Sequence, residues 1–115
     1  MTPPNEGTLT TADILDRLFE TIHSRKGSDP ANSYTASLLA QAPEKPVRKL
    51  SEETTELLIE ALRDDKAAMV QESADLLYHL LVVWAAADID PSHVWAALDA
   101  RQSQSGHEEK ASRTS

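Results

Sequence analysis

The sequence predicts an all-α domain, a bundle of four to five helices completed by dimerisation. Three observations carry that expectation. Among 115 residues there are three glycines and one phenylalanine, while alanine and leucine abound, a composition of helices rather than strands. Apolar residues recur at helical spacing through most of the chain. Finally, the stretch from Leu76 to Ala87 is apolar nearly all round. Such a helix must be covered on more than one side, and so short a chain has too few other helices to do it. A second copy is the natural cover.

Taken in order, residues 1–8 contain Pro3, Pro4 and Gly7 and read as a mobile lead. The folded domain spans 9–101. A first helix starts near Thr10 or Thr11, either of which can cap it, with Asp13 in the favourable first turn. Its stripe is Ile14, Leu18 and Ile22 with Leu15 and Phe19, and His23-Ser24-Arg25-Lys26-Gly27 ends it. Ser28 to Asn32 is a loop around Pro30. Asn32 or Ser33 then caps a short second helix that reaches Ala40. A third helix runs from Glu44 or Pro46 to Leu62, because proline is tolerated in a first turn. Its stripe is Val47, Leu50, Leu57, Leu58 and Ala61. The break at Arg63-Asp64-Asp65-Lys66 makes a hairpin with a fourth helix, Lys66 to Ala87, capped by Asp64 or Asp65. Asp90-Pro91 opens a fifth, carrying Val94, Trp95 and Leu98 as far as Arg101. Residues 102–115 hold no aliphatic side chain larger than alanine and read as a disordered tail.

Composition excludes several functions. The chain has no cysteine, which removes disulfides, zinc–thiolate sites and a cysteine nucleophile. Its net charge of −8, from 11 basic and 19 acidic residues, argues against broad nucleic-acid binding. The N-terminus lacks the basic start and apolar core of a signal peptide. No apolar run approaches the ~20 residues of a membrane span. The expectation is a soluble cytoplasmic protein.

The chemistry concentrates between Lys49 and His79. Glu53 and Glu56 stand three residues apart, as do Glu72 and Asp75, so each pair shares a helix face. The hairpin would bring the four carboxylates across one groove, an arrangement that repels itself unless cations share it. Hard divalent ions, above all Mg²⁺ with Mn²⁺ as the alternative, take such oxygen ligands and bridge to phosphates. Residues 52–75 hold eight acidic and two basic groups, while Lys45, Arg48 and Lys49 lie just upstream. An acidic block beside a basic one suits a metal–polyphosphate ligand, and equally a solvated, salt-bridged helix. His79 follows Asp75 by one turn and reads as a hydrogen-bonded core residue.

Ser33-Tyr34-Thr35, KPVRKLSEETTELLIEA and QESADLLYHLLVVW together resemble phosphoribosyl-ATP pyrophosphohydrolase of histidine biosynthesis, within the MazG-like all-α pyrophosphatases. The resemblance covers roughly Leu9 to Arg101. It implies hydrolysis of phosphoribosyl-ATP to phosphoribosyl-AMP and pyrophosphate, with Glu53, Glu56, Glu72 and Asp75 as metal ligands. Glu52, Glu53 and Glu56 become the catalytic candidates, Glu52 as a base behind the ligands or as a solvated side chain. Lys49, one turn before Glu53, is the first choice for a phosphate contact, ahead of Lys45, Arg48 and Arg25. Resemblance also puts Ser33, Tyr34 and Thr35 near substrate. One departure is Ser51, where the family usually has glycine, and it puts a close backbone approach to phosphate in doubt. The cyclohydrolase of the next step would be a separate protein, since its domain typically supplies Cys and His ligands. The competing readings are a MazG-like hydrolase of non-standard nucleoside triphosphates, using the same carboxylates, and a helical dimerisation module without catalysis.

Overall fold

The computed structural model describes residues 11–103. The expected mobile lead at 1–8 and nearly all of the expected disordered tail lie outside that range. The described chain is five helices without a strand: α1 (Asp13–Ser24), α2 (Tyr34–Ala40), α3 (Glu44–Leu62), α4 (Lys66–Ala86) and α5 (Pro91–Gln102).

Local chemistry accounts for the starts. Thr11 Oγ1 accepts from the Asp13 amide at 3.2 Å. Ser33, rather than Asn32, caps α2 by accepting from Ala36 N at 3.1 Å. Asp65, rather than Asp64, caps α4 through Ala68 N at 3.0 Å. Asp90 caps α5 through Ser92 N at 3.0 Å, with Pro91 in the first turn. Each cap satisfies an amide that the helix itself leaves without an acceptor. Past α1 the chain turns through Gly27 at φ 80°, a left-handed conformation that glycine adopts without a Cβ penalty.

The second half of α4 is the spine. Its Leu81, Val82 and Ala85 are buried together with Phe19 and Ile22 of α1 and Leu38 of α2, and Leu15, Leu18, Leu39, Tyr78 and Trp84 pack around them. α3 lies along α4 as the hairpin partner. α5 is tied back by Trp95, whose ring meets Trp84 edge-on at 5.9 Å while its Nε1 donates to Asp16 at 3.0 Å. Among the described residues no helix is long and apolar enough to cross a membrane.

Parts of the predicted stripes face outward. Ile14 is 46% exposed, and on α3 Val47 and Leu58 are exposed, as is Ala61. The reason is geometric: the residues α3 buries are Pro46 and Glu53, so an acid holds the most buried part of its inward face, while of its apolar stripe only Leu50 and Leu57 are half-buried. Leu62 at 89%, Val70 at 65% and Leu77 extend this open apolar surface along the hairpin. On α4, Lys66, Met69, Val70, Ser73, Ala74 and Leu77 line a groove of about 540 Å³. Leu80, Val83 and Trp84, within the Leu76 to Ala87 stretch for which a second copy was the expected cover, are half-buried within the chain itself.

Candidate active site

Three-residue spacing puts Glu53 and Glu56 on one side of α3, and Glu72 and Asp75 on one side of α4. Packing of α3 against α4 brings the two pairs together. Carboxylate oxygens of Glu53, Glu56 and Glu72 lie within 4.8 Å of one another. Asp75 falls outside that tight set and is exposed, yet its charge is felt by both Glu53 and Glu72.

The cost of this convergence shows in the titration of two members. Burial pushes the Glu53 carboxyl above its ordinary value, and the charges of Glu56 and Asp75 push it further. Glu72 is raised in the same order, by desolvation first, then by Glu56, Asp75 and Glu53. Its Oε1 is buried with no hydrogen-bond partner. A desolvated carboxylate oxygen without a donor is unfavourable, and here its neighbours are acids. Hard oxygen donors, mutual repulsion and an orphaned oxygen are what a divalent cation would relieve. This donor set could therefore hold Mg²⁺ or Mn²⁺, with Asp75 beside it.

Lys49 lies within this neighbourhood. Its Nζ pairs with Glu52 Oε1 at 3.2 Å. The hydrogen bond to Glu52, with Tyr34 and Glu53 acting in the same sense, holds the ammonium above its ordinary value. Lys49 in turn lowers His79, whose chief cause of depression is burial, against the opposing charges of Asp75 and Glu52. Burial thus disfavours the charged form of this imidazole. It meets Tyr78 edge-on at 4.9 Å and Tyr34 at 6.4 Å. Its Nδ1 finds no partner, so the expected core position is right while the expected hydrogen bond is missing among the described residues. Tyr34 is 54% exposed, which leaves most of one ring free beside Lys49. Thr35 Oγ1 and the Tyr78 hydroxyl share a short hydrogen bond that ties α2 to α4. Ser33 is occupied as the α2 cap.

The other cations are placed differently. Lys45 and Arg48 line a cleft of about 350 Å³ with Ala40, Gln41, Ala42 and Glu44, where α2 turns into α3. Arg25 forms the C-cap of α1 and acts on none of the shifted groups around the carboxylates. Sequence reasoning missed the Tyr34–His79–Tyr78–Thr35 cluster. Its Thr35–Tyr78 bond alone spans 43 residues, and nothing local in the chain announces such contacts.

The phosphoribosyl-ATP pyrophosphohydrolase family matches residues 15–102. The chain belongs to that family. Its relatives include the phosphoribosyl-ATP pyrophosphatase of Azospirillum brasilense, 51% identical over 105 residues, which are 91% of this chain and 95% of the relative. The enzyme of that name from Paracoccus denitrificans is 54% identical over 99 residues, covering 86% and 92% of the two chains. One from Cereibacter sphaeroides (strain ATCC 17029) is 51% identical over 100 residues, covering 87% and 97%. The match includes all four carboxylates, the basic cluster and the aromatic cluster, so the site described above lies wholly inside the phosphoribosyl-ATP pyrophosphohydrolase domain.

Proposed function

We propose that this protein hydrolyses phosphoribosyl-ATP to phosphoribosyl-AMP and pyrophosphate, a step of histidine biosynthesis, with Mg²⁺ as its metal and Mn²⁺ as a substitute. The observation that carries the reading is the convergence of Glu53, Glu56 and Glu72 within 4.8 Å in a chain of this family. Glu53, Glu56 and Glu72, with Asp75 alongside, hold the metal. Bound there, a divalent ion would neutralise polyphosphate charge and lower the pKa of a coordinated water.

The chain's own residues do the rest. Water adds at the α-phosphorus, the α–β phosphoanhydride bond breaks and pyrophosphate leaves, with the water's proton passing to a carboxylate. Lys49 exchanges its Glu52 partner for the polyphosphate and stabilises the charge that gathers on the leaving group. That exchange frees the Glu52 carboxylate, the candidate base. Tyr34, half-exposed and beside Lys49, and Thr35, fixed to Tyr78, form the wall facing the nucleotide. Ser33 positions that wall by capping α2. Arg25 belongs at most to its outer edge.

The protein acts as a cytoplasmic homodimer. The dimer is supported by the open apolar surface of Leu58, Leu62, Val70 and Leu77, since patches of this kind mark association. The covering copy then sits on the hairpin. The test is pyrophosphate release from phosphoribosyl-ATP, ATP and dUTP, with and without Mg²⁺. Metal-dependent turnover that strongly favours phosphoribosyl-ATP is expected. A preference for dUTP would point to a house-cleaning hydrolase, and no turnover of any substrate to a non-catalytic helical module.

A further inference from the structure

The cleft at the α2–α3 corner lies outside the carboxylate cluster, and its chemistry calls for an anion. Lys45 and Arg48 both line it. Among the described residues neither makes an ion pair or a side-chain hydrogen bond, although acids outnumber bases 19 to 11 in the chain. Glu44, also in the cleft, stands four residues before Arg48, and no ion pair joins them. The walls contributed by Ala40 and Ala42 are small, which leaves room for a group the size of a sugar phosphate.

The substrate offers such a group. Phosphoribosyl-ATP is anionic at both ends, with the reacting triphosphate at one and the 5-phosphate of the second ribose at the other. The adenine ring and two riboses hold those ends apart, so the cation serving one cannot serve both. Along α3, Lys45 precedes Glu53 by eight residues, a separation of ~12 Å at the helical rise, of the order of a nucleoside's length. Lys49 lies between them, beside Tyr34. The cations therefore run as a row from the carboxylates back to the corner.

Resting on the reading of the preceding subsection, we propose that Lys45 and Arg48 bind the terminal 5-phosphate of the phosphoribosyl group and are the specificity determinants against ATP. A phosphate monoester dianion suits the pair: Arg48 can offer two parallel donors and Lys45 a point charge. Glu44 limits the site, because the dianion is repelled from its side of the cleft. ATP has no phosphate at this end, so it gains nothing from the corner, while the carboxylate cluster and Lys49 treat the two triphosphates alike.

The experiment compares pyrophosphate release from phosphoribosyl-ATP with release from the same molecule lacking its terminal 5-phosphate, in the wild-type protein and in Lys45→Met/Arg48→Met. The ratio of kcat/KM, intact over dephosphorylated, should fall about a hundredfold in the double variant, the scale of losing charge-assisted hydrogen bonds, mainly through KM. An unchanged ratio, including equal losses on both substrates, overturns the proposal. Arg48 is exposed and Lys45 only half-buried, so the fold should tolerate both changes; should the double variant not fold, Arg48→Met alone is read by the same ratio. A wild-type protein that releases no pyrophosphate from phosphoribosyl-ATP overturns the underlying reading as well, before any variant is compared.

Discussion

Glu56→Gln is the sharpest perturbation of the carboxylate cluster. Glu56 is exposed and sits on α3 facing Glu72 and Glu53, so the amide replaces a charge at nearly constant shape without opening a cavity. Two opposite effects follow. Without metal the substitution removes an anion that pushes both Glu53 and Glu72 upward, so the melting temperature should stay level or rise. With metal the sign reverses. At a free Mg²⁺ concentration of 100 times Kd, linkage stabilises the wild-type fold by about 2.7 kcal/mol. For a domain of this size that is roughly 10–20 °C in Tm. If losing one carboxylate ligand weakens binding about a hundredfold, the same Mg²⁺ concentration equals the variant's Kd, and RT ln 2 leaves only about 0.4 kcal/mol, or roughly 2–3 °C. The assay is thermal unfolding followed by circular dichroism, with Mg²⁺ and with EDTA. An equal Mg²⁺ shift in wild type and variant would refute the assignment of Glu56 as a ligand. A lower Tm for the metal-free variant would refute the repulsion argument separately.

Four further outcomes are expected. Lys49→Met keeps the apolar stem and removes the charge; about a hundredfold loss in kcat is expected, and Mg²⁺ affinity without substrate should hold or tighten, as titration calorimetry can check. Because folding raises the Glu53 and Glu72 carboxyls, the folded state binds their protons more tightly than the unfolded chain, and the penalty present above the raised values fades as pH falls through them toward the ordinary glutamate range. The metal-free wild type should accordingly lose less stability on mild acidification than Glu53→Gln/Glu72→Gln, and parallel Tm–pH curves for the two would contradict this. Leu62→Glu places a charge on a side chain 89% exposed; light scattering should find a dimer for wild type and a monomer of 12.6 kDa for the variant, whereas a wild-type monomer at micromolar concentration would remove the dimer. Leu81→Ala, at a site 1% exposed in the α1–α2–α4 core, should cost about 2–5 kcal/mol in urea unfolding.

Much of this protein was legible in its sequence because helices are written locally. Ser33, Asp65 and Asp90 declare their helix starts through a bond to an amide two or three residues on, and the five helices match their expected bounds within a residue or two. The two acidic pairs were readable for the same reason: a three-residue spacing fixes a shared face, and a short turn fixes the antiparallel return. What the chain order left open was everything that depends on how faces meet. Val47 and Leu58 form as good an apolar stripe as Leu18 and Ile22, and periodicity marks both alike. Only packing against α4 decided that α3 turns Glu53 inward and Leu58 and Leu62 out. In the same way, hairpin register drew Glu53, Glu56 and Glu72 together and left Asp75 at the margin. The meeting of Tyr34, Thr35, Tyr78 and His79 needed α2 to dock on α4, since a contact between residues far apart in the chain is set by the energetics of the whole core rather than by its neighbours in sequence.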